Sequence, residues 1–218
     1  MFRAGVDEAG RGPLVGPLVA GLVVLDARSA SVLEEAGVTD SKALSPKRRE
    51  ELAVLVRSEA IRVALVVAEP DRIDAALKDP ASNLNLLEAE LTAELLTQLP
   101  GGSGIVAIDL PTRSEASYRA AILSRCSLDS GVSLLLEHKA DLNHVACAAA
   151  SIVAKVERDR LVRAIEAEVG VPVGSGYPAD PKTKAFLLSH GRSHSHLFRR
   201  TWGTYVARFP DSGQTTLI

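Results

Sequence analysis

Asp7 and Glu8 stand side by side at the end of an apolar run that starts at Phe2, and Gly10-Arg11-Gly12-Pro13 follows at once. If that run is a strand, neighbouring side chains point to opposite faces, so one of the two carboxylates is directed toward the interior or a cleft. A buried anion needs a cation or a set of hydrogen-bond donors. The chemistry open to such a pair is divalent-metal binding beside a backbone cradle; a polar turn carrying two acids is the plain alternative. Gly10, Gly12 and Gly16 are spaced one residue too wide for a dinucleotide fingerprint, and the run after them, interrupted by Pro13 and Pro17, reads as strand where such a loop would open a helix. There is no lysine-bearing phosphate loop here either. What the glycines do permit is close approach of a ligand to exposed amides, with Arg11 available to a phosphate.

One further acid sits where α/β folds gather their sites, and another stands just ahead of a helix. Asp109 closes the short apolar run Ile105–Ile108, and Asp141, preceded by Lys139, comes just before the small-residue run Ala146–Ala150. The elements that would position them follow from patterning. Strands are expected from Phe2, over Leu14–Leu25, over Ile61–Ala68, over Ile105–Ile108 and over Val132–Glu137. Helices are expected in Asp26–Ala36, over Lys47–Ser58 with Ser45 as N-cap and Pro46 at the first position, over Asp71–Leu77 and over Asn83–Leu99, where Leu87, Leu91 and Leu95 form a stripe that reads as core packing. Others are expected near Ser114–Ser124, from Ala146 on, and over Lys182–Ser189 and Leu197–Arg208.

Asp-Glu-Ala-Gly-Arg-Gly-Pro at 7–13 resembles the N-terminal signature of ribonuclease HII, the type 2 ribonuclease H family. Asp40-Ser41-Lys42 resembles a second motif of that family, and Lys139-Ala140-Asp141 with the helix Ala146–Arg160 a third. The Lys-Ala-Asp form, with Gly174-Ser175-Gly176-Tyr177-Pro178, looks more like the archaeal branch. The matches span residues 5 to about 205. The resemblance implies an α/β, ribonuclease H-like fold: a five-stranded mixed sheet flanked by helices, with a small C-terminal helical appendage. It implies a catalytic domain over 1–160 and a substrate-binding helical region with a tail over 161–218. It also implies that Asp7, Glu8, Asp109 and Asp141 are catalytic and hold two Mg2+ or Mn2+ ions, Asp109 being identified only by its place at a strand end. Gly10, Arg11 and Gly12 inherit the reading of a 2′-hydroxyl. Lys42 inherits contact with the substrate backbone, and Tyr177 stacking at the junction between a ribonucleotide and the next deoxynucleotide. The implied reaction is endonucleolytic cleavage of the RNA strand of RNA/DNA hybrids and 5′ of a ribonucleotide embedded in duplex DNA, leaving 3′-hydroxyl and 5′-phosphate ends.

Composition agrees with a soluble globular protein and the cysteine usage with a reducing cytosol, and the resemblance implies a monomeric enzyme of the cytoplasm. The chain has 218 residues, 46% hydrophobic and 24% charged, and its longest uncharged apolar run, Leu14–Leu25, is too short for a membrane span. Cys126 and Cys147 lack metal-type spacing, and His194 and His196 read as an exposed polar loop. A net charge of −2 gives no global attraction to nucleic acid. Lys182, Lys184, Arg192, Arg199, Arg200 and Arg208, with no acid among them, read either as a solvated basic face or as a patch that neutralises phosphates. Ser212–Ile218 resembles the start of a sliding-clamp binding peptide that stops before its aromatic pair. Three other readings are open: an inactive nucleic-acid binder of the same fold, a sugar or acetate kinase sharing the sheet, and ribonuclease HIII, whose additional N-terminal domain has no counterpart here. The kinase would need two phosphate loops that are not evident.

Overall fold

The computed structural model describes residues 1–39, 41 and 44–210. In chain order the elements are β1 (Phe2–Ala9), β2 (Leu18–Leu25), α1 (Ala27–Glu35), α2 (Pro46–Glu59), β3 (Arg62–Ala68), α3 (Pro70–Lys78), α4 (Leu84–Leu96), β4 (Gly104–Asp109), α5 (Glu115–Leu123), β5 (Val132–Glu137), α6 (Ala140–Asn143), α7 (Val145–Val169), α8 (Pro181–His190), a short 3-10 turn (Ser195–Leu197) and α9 (Gly203–Arg208). The five strands form one mixed sheet in the order β3-β2-β1-β4-β5. β2 runs antiparallel to β1, whereas β4 lies parallel to β1 and β5 parallel to β4. β2 is buried along its whole length, as suits a strand of Leu, Val, Ala and Gly with no polar face.

The register decides where the acids end up. Val6 pairs with Ile108 in the parallel β1/β4 ladder, so Asp7 and Asp109 follow at the same, C-terminal end of two adjacent strands. Asp109 in turn pairs with Glu137 on β5.

Local chemistry sets the helix ends. Asp26 and Ser29 form a reciprocal capping box on α1, and Ser45 accepts the Arg48 N–H ahead of Pro46 on α2. The alanine run of α7 works together with glycines in the strands beneath it. A Cβ on Gly5 would collide with the Ala146–Cys147 backbone, and one on Gly21 would lie 2.9 Å from the Ala150 carbonyl oxygen. The sheet therefore admits α7 backbone-to-backbone at two neighbouring strands.

Two expectations need correction. β2 begins at Leu18, not Leu14, because Gly16 adopts φ +79° and Pro17 follows, a combination that breaks strand geometry. No single helix covers 197–208: Phe198 bridges Val15 in an antiparallel pair, and only Gly203–Arg208 is α-helical.

The chain divides into two compact units. The first comprises Met1–Ala9, Val19–Val67 and Asn85–Arg158; the second comprises Gly10–Leu18, Ala68–Leu84 and Asp159–Ile218. The first has a core of Val23, Leu25, Leu33, Leu52 and Val56 against Ala148–Ala150, Ile152 and Val153 of α7. The second packs Leu14, Val15, Phe186, Phe198, Tyr205 and Phe209, with the Phe186 and Phe198 rings stacked at 5.1 Å. Among the described residues, no helix is long and apolar enough to cross a membrane.

Candidate active site

In the first unit, Asp7, Glu8 and Asp109 each offer a carboxylate oxygen, and these atoms all lie within 4.8 Å of one another. Asp7 is buried and Glu8 half-buried, as alternation along β1 demands. The Glu8 N–H donates to Asp7 Oδ1 at 2.7 Å. Burial pushes the Asp7 carboxyl well above its ordinary range, and the neighbouring Glu8 and Asp109 charges push it the same way. A hydrogen bond from Ser151 opposes them.

Asp141 is not in that tight group. It lies buried in α6, and the arrangement around it is nonetheless tied to Asp109, whose Oδ1 accepts the Ala140 N–H at 3.0 Å. Lys139 makes this possible by adopting φ 59°, the left-handed region, immediately before α6; it is the one non-glycine with positive φ among the described residues. Cys147 is buried below, its Sγ donating to the Val6 carbonyl at 3.2 Å. Burial pushes its thiol pKa well up, and Asp7, Asp109 and Asp141 all add to the rise. The fourth acid therefore belongs to the same electrostatic neighbourhood.

Sequence reading passed over one more acid. Glu88 of α4 is buried and lines the same crevice as Asp7, Glu8 and Asp109, together with Thr92 and Tyr118. It sits beside Leu87 on a helix read as core packing, and an acid adjoining such a stripe was its signal.

The donor set fits a hard divalent cation. Asp7, Glu8 and Asp109 all offer carboxylate oxygens, which is the ligand chemistry Mg2+ and Mn2+ prefer, and a cation among them would offset the burial and crowding that raise the Asp7 pKa.

In the second unit the Gly10–Gly12 turn is held from behind. Arg199 is fully buried and donates to the carbonyls of Gly16 at 3.1 Å, Arg11 at 2.8 Å and Gly10. Its guanidinium also lies 4.9 Å from the Trp202 ring, and Trp202 Nε1 donates to the Gly12 carbonyl at 3.2 Å. The described peptide bonds are all trans. In a trans unit the N–H points opposite to the preceding C=O, so the Arg11 and Gly12 amides face away from Arg199. The turn thus presents donors outward because its acceptors are tied inward.

Tyr177 belongs to the same unit and is 47% exposed, so its ring is available to a ligand. A Cβ on Gly12 would come within 3.2 Å of Tyr177 Cε1, so the absent side chain is what lets the ring lie against the turn. The Gly176 carbonyl accepts the Leu14 and Val15 amides at 2.7 and 3.3 Å, and the Gly176 N–H donates to Thr183 Oγ1 at 3.0 Å. Asp180 caps α8 by accepting from Lys182 N and accepts from Ser175 N at 2.7 Å. The Ser175 bonds, backbone first, hold its carboxyl down from 3.8 to about 2, with Lys182 N assisting. A depressed pKa means stability that is present above pH 3.8 and lost as pH falls through about 2. Asp180→Ala is expected to lower the melting temperature at neutral pH, with the gap to the parent closing across that window. A gap independent of pH down to pH 2 would show that the carboxylate charge contributes nothing.

The basic run does not form one patch. Arg199 is consumed by backbone carbonyls, and Arg200 pairs with Asp74 at 3.0 Å and Asp71 at 2.5 Å. These two cations organise the protein interior and the α3 surface. Lys42 and the clamp-like tail 212–218 lie outside the described residues.

Comparison with known proteins gives a consistent family. A family profile described as Ribonuclease HII matches residues 4–205. A ribonuclease HII of Thermococcus onnurineus is 40% identical over 207 residues, covering 94% of this chain and 88% of its own. The crystal structure of ribonuclease H2 from Pyrococcus horikoshii superposes with a TM-score of 0.85 at 34% identity, covering 97% of this chain and all of its own. A solved PCNA:RNase HII complex from Archaeoglobus fulgidus gives 0.79 at 34% identity, covering 93% of this chain and 95% of that one.

Proposed function

The chain belongs to the ribonuclease HII family, and on that premise we propose that it cleaves the RNA strand of RNA/DNA hybrids and cuts 5′ of single ribonucleotides in duplex DNA, leaving 3′-hydroxyl and 5′-phosphate ends. It is a metal-dependent hydrolase of the ribonuclease H type. The observation that carries the reading is the convergence of Asp7, Glu8 and Asp109 within 4.8 Å. Divalent cations, two of them on this reading and either Mg2+ or Mn2+, would be held by these three and Asp141, and would activate water and neutralise charge on the leaving oxygen.

The residues of the chain have separate tasks. Asp7 and Asp109 project from adjacent parallel strands, so the sheet itself holds their spacing rigid. The outward amides of Arg11 and Gly12 serve the 2′-hydroxyl, the group that tells RNA from DNA. Tyr177 offers an exposed ring for stacking on the sugar or base beside it. Lys42 contacts the substrate backbone. In this assignment residues 1–160 carry catalysis and 161–218 substrate binding, with Gly10–Gly12 joining the second task. We further propose a monomer that works in the cytoplasm and docks a sliding clamp through its C-terminal tail, as the archaeal complex with PCNA encourages. Absence of binding in a pull-down with the full chain would dispose of the clamp.

The decisive assay incubates the protein with duplex DNA containing one ribonucleotide, and separately with an RNA/DNA hybrid, with Mg2+ or Mn2+ and with chelator. Metal-dependent nicks with mapped 3′-hydroxyl and 5′-phosphate ends are expected; no cleavage of either duplex would leave only a nucleic-acid binder. Metal should also stabilise the fold. At a hundredfold excess over its dissociation constant, Mn2+ is expected to add about 2.7 kcal/mol, seen as a raised melting temperature that Na+ at equal ionic strength does not reproduce. An unchanged melting curve would separate the acid cluster from metal binding.

A further inference from the structure

We propose that Ser151 and Ser41 are positioning residues for Asp7: two buried hydroxyls in series fix the orientation of that carboxylate within the acidic cluster. The inference rests on Asp7 being a metal-binding carboxylate, as proposed above.

Ser151 lies on α7 directly after the alanine run and is 6% exposed; Ser41 is 2% exposed. Their hydroxyl oxygens are 3.0 Å apart. The Ser151 side chain also hydrogen-bonds Asp7. A hydroxyl carries one proton, and an ionised carboxylate only accepts. Ser151 therefore donates to Asp7 and accepts from Ser41, which gives the chain one direction: Ser41 to Ser151 to Asp7. The start of the chain is anchored, because Arg49 Nη1 of α2 donates to the Ser41 carbonyl at 3.0 Å and to the Leu44 carbonyl at 2.7 Å.

Fold stability alone does not call for these hydroxyls. Ser151 neighbours Ala148, Ala149, Ile152 and Val153 in an apolar cluster, where alanine would extend the helix at higher propensity and bury no polar atom. What serine adds over alanine is a donor aimed at Asp7. Asp7 Oδ1 already takes the Glu8 N–H, and the Ser151 donor supplies a second fixed contact, so the carboxylate cannot swing. Ser41 is the middle residue of Asp40-Ser41-Lys42. Ser41 is thereby linked through a helix to the strand that carries Asp7.

The test compares Ser151→Ala, Ser151→Thr, Ser41→Ala and the Ser41→Ala/Ser151→Ala double variant in the full chain. Mn2+ affinity is measured by electron paramagnetic resonance without nucleic acid, kcat and KM are measured separately on an RNA/DNA hybrid, and melting is recorded for each. Ser151→Ala is expected to weaken Mn2+ binding and lower kcat about tenfold or more, with KM little changed. Ser151→Thr should recover most of both, and the double variant should be no worse than Ser151→Ala, because Ser41 acts only through Ser151. Parental Mn2+ affinity and kcat in Ser151→Ala would overturn the proposal. So would a loss that Thr does not rescue and that tracks melting, or a double variant whose losses add. Asp7→Asn is the reference that keeps the two readings apart: if it binds Mn2+ and cleaves normally, the role of Asp7 fails, whereas an inert Asp7→Asn beside a normal Ser151→Ala sinks the hydroxyl chain alone.

Discussion

Asp7→Asn is expected to fold at least as well as the parent and to cleave RNA/DNA hybrid roughly a thousandfold more slowly, about 4 kcal/mol at 1.36 kcal/mol per decade. Both halves of the result follow from the surroundings of the side chain. Asp7 is buried beside Glu8 and Asp109, and its raised pKa records that its charge is unfavourable there when no cation is present. The isosteric amide removes the charge while its oxygen still accepts from Glu8 N and Ser151, so in chelator the melting temperature should stay level or rise. The same change removes a ligand charge, so the rise in melting temperature produced by Mn2+ should shrink. Calorimetry with and without Mn2+, run beside the cleavage assay, checks all three expectations. Turnover near the parental rate at equal metal would take Asp7 out of the mechanism.

Arg199→Met should have the largest effect on stability. The side chain is wholly buried and supplies donors to three carbonyls in a turn that makes no helix or strand of its own. Methionine fills much of the same volume and offers no donor, leaving those oxygens to lose about 1–3 kcal/mol each. Even at the low end this amounts to a drop in melting temperature of roughly 6–12 °C for a chain of this size. The functional consequence is more specific. With the Gly10 and Arg11 carbonyls released, the Arg11 and Gly12 amides lose their fixed outward direction, and preference for ribonucleotide over all-deoxy substrate should fall more than the cleavage rate itself. Arg199→Lys keeps the charge without the planar fork and should fall between the two. A methionine variant that melts with the parent would show that the turn is held by other contacts.

Much of the fold and of the site was legible before any coordinates. β5 spans the same run, Val132–Glu137, that the sequence marks as a strand, and Ser45-Pro46 marks the start of α2 by capping chemistry alone. Asp7-Glu8 announces a carboxylate that must be buried, since a strand cannot turn two neighbours to the same face, and the structure buries Asp7. These are local properties. Period, caps and turn chemistry act over a few residues, so a linear reading reaches them.

Other features depend on residues that meet across a hundred positions or more. Asp109 joins Asp7 because β4 pairs in parallel with β1 at one particular register, and register is set by the packing of whole strands. Arg199 looks like any surface cation in a basic run; its burial follows from Phe198 bridging Val15, which brings the guanidinium to carbonyls over 180 residues away. Residue types and their order determined by themselves which carboxylates this chain has to spend and which strand ends carry them. Only the tertiary structure decided which of them lie close enough to share a cation and which charges are consumed inside, because hydrogen-bond directions and carboxylate spacings arise from long-range packing that no local pattern encodes.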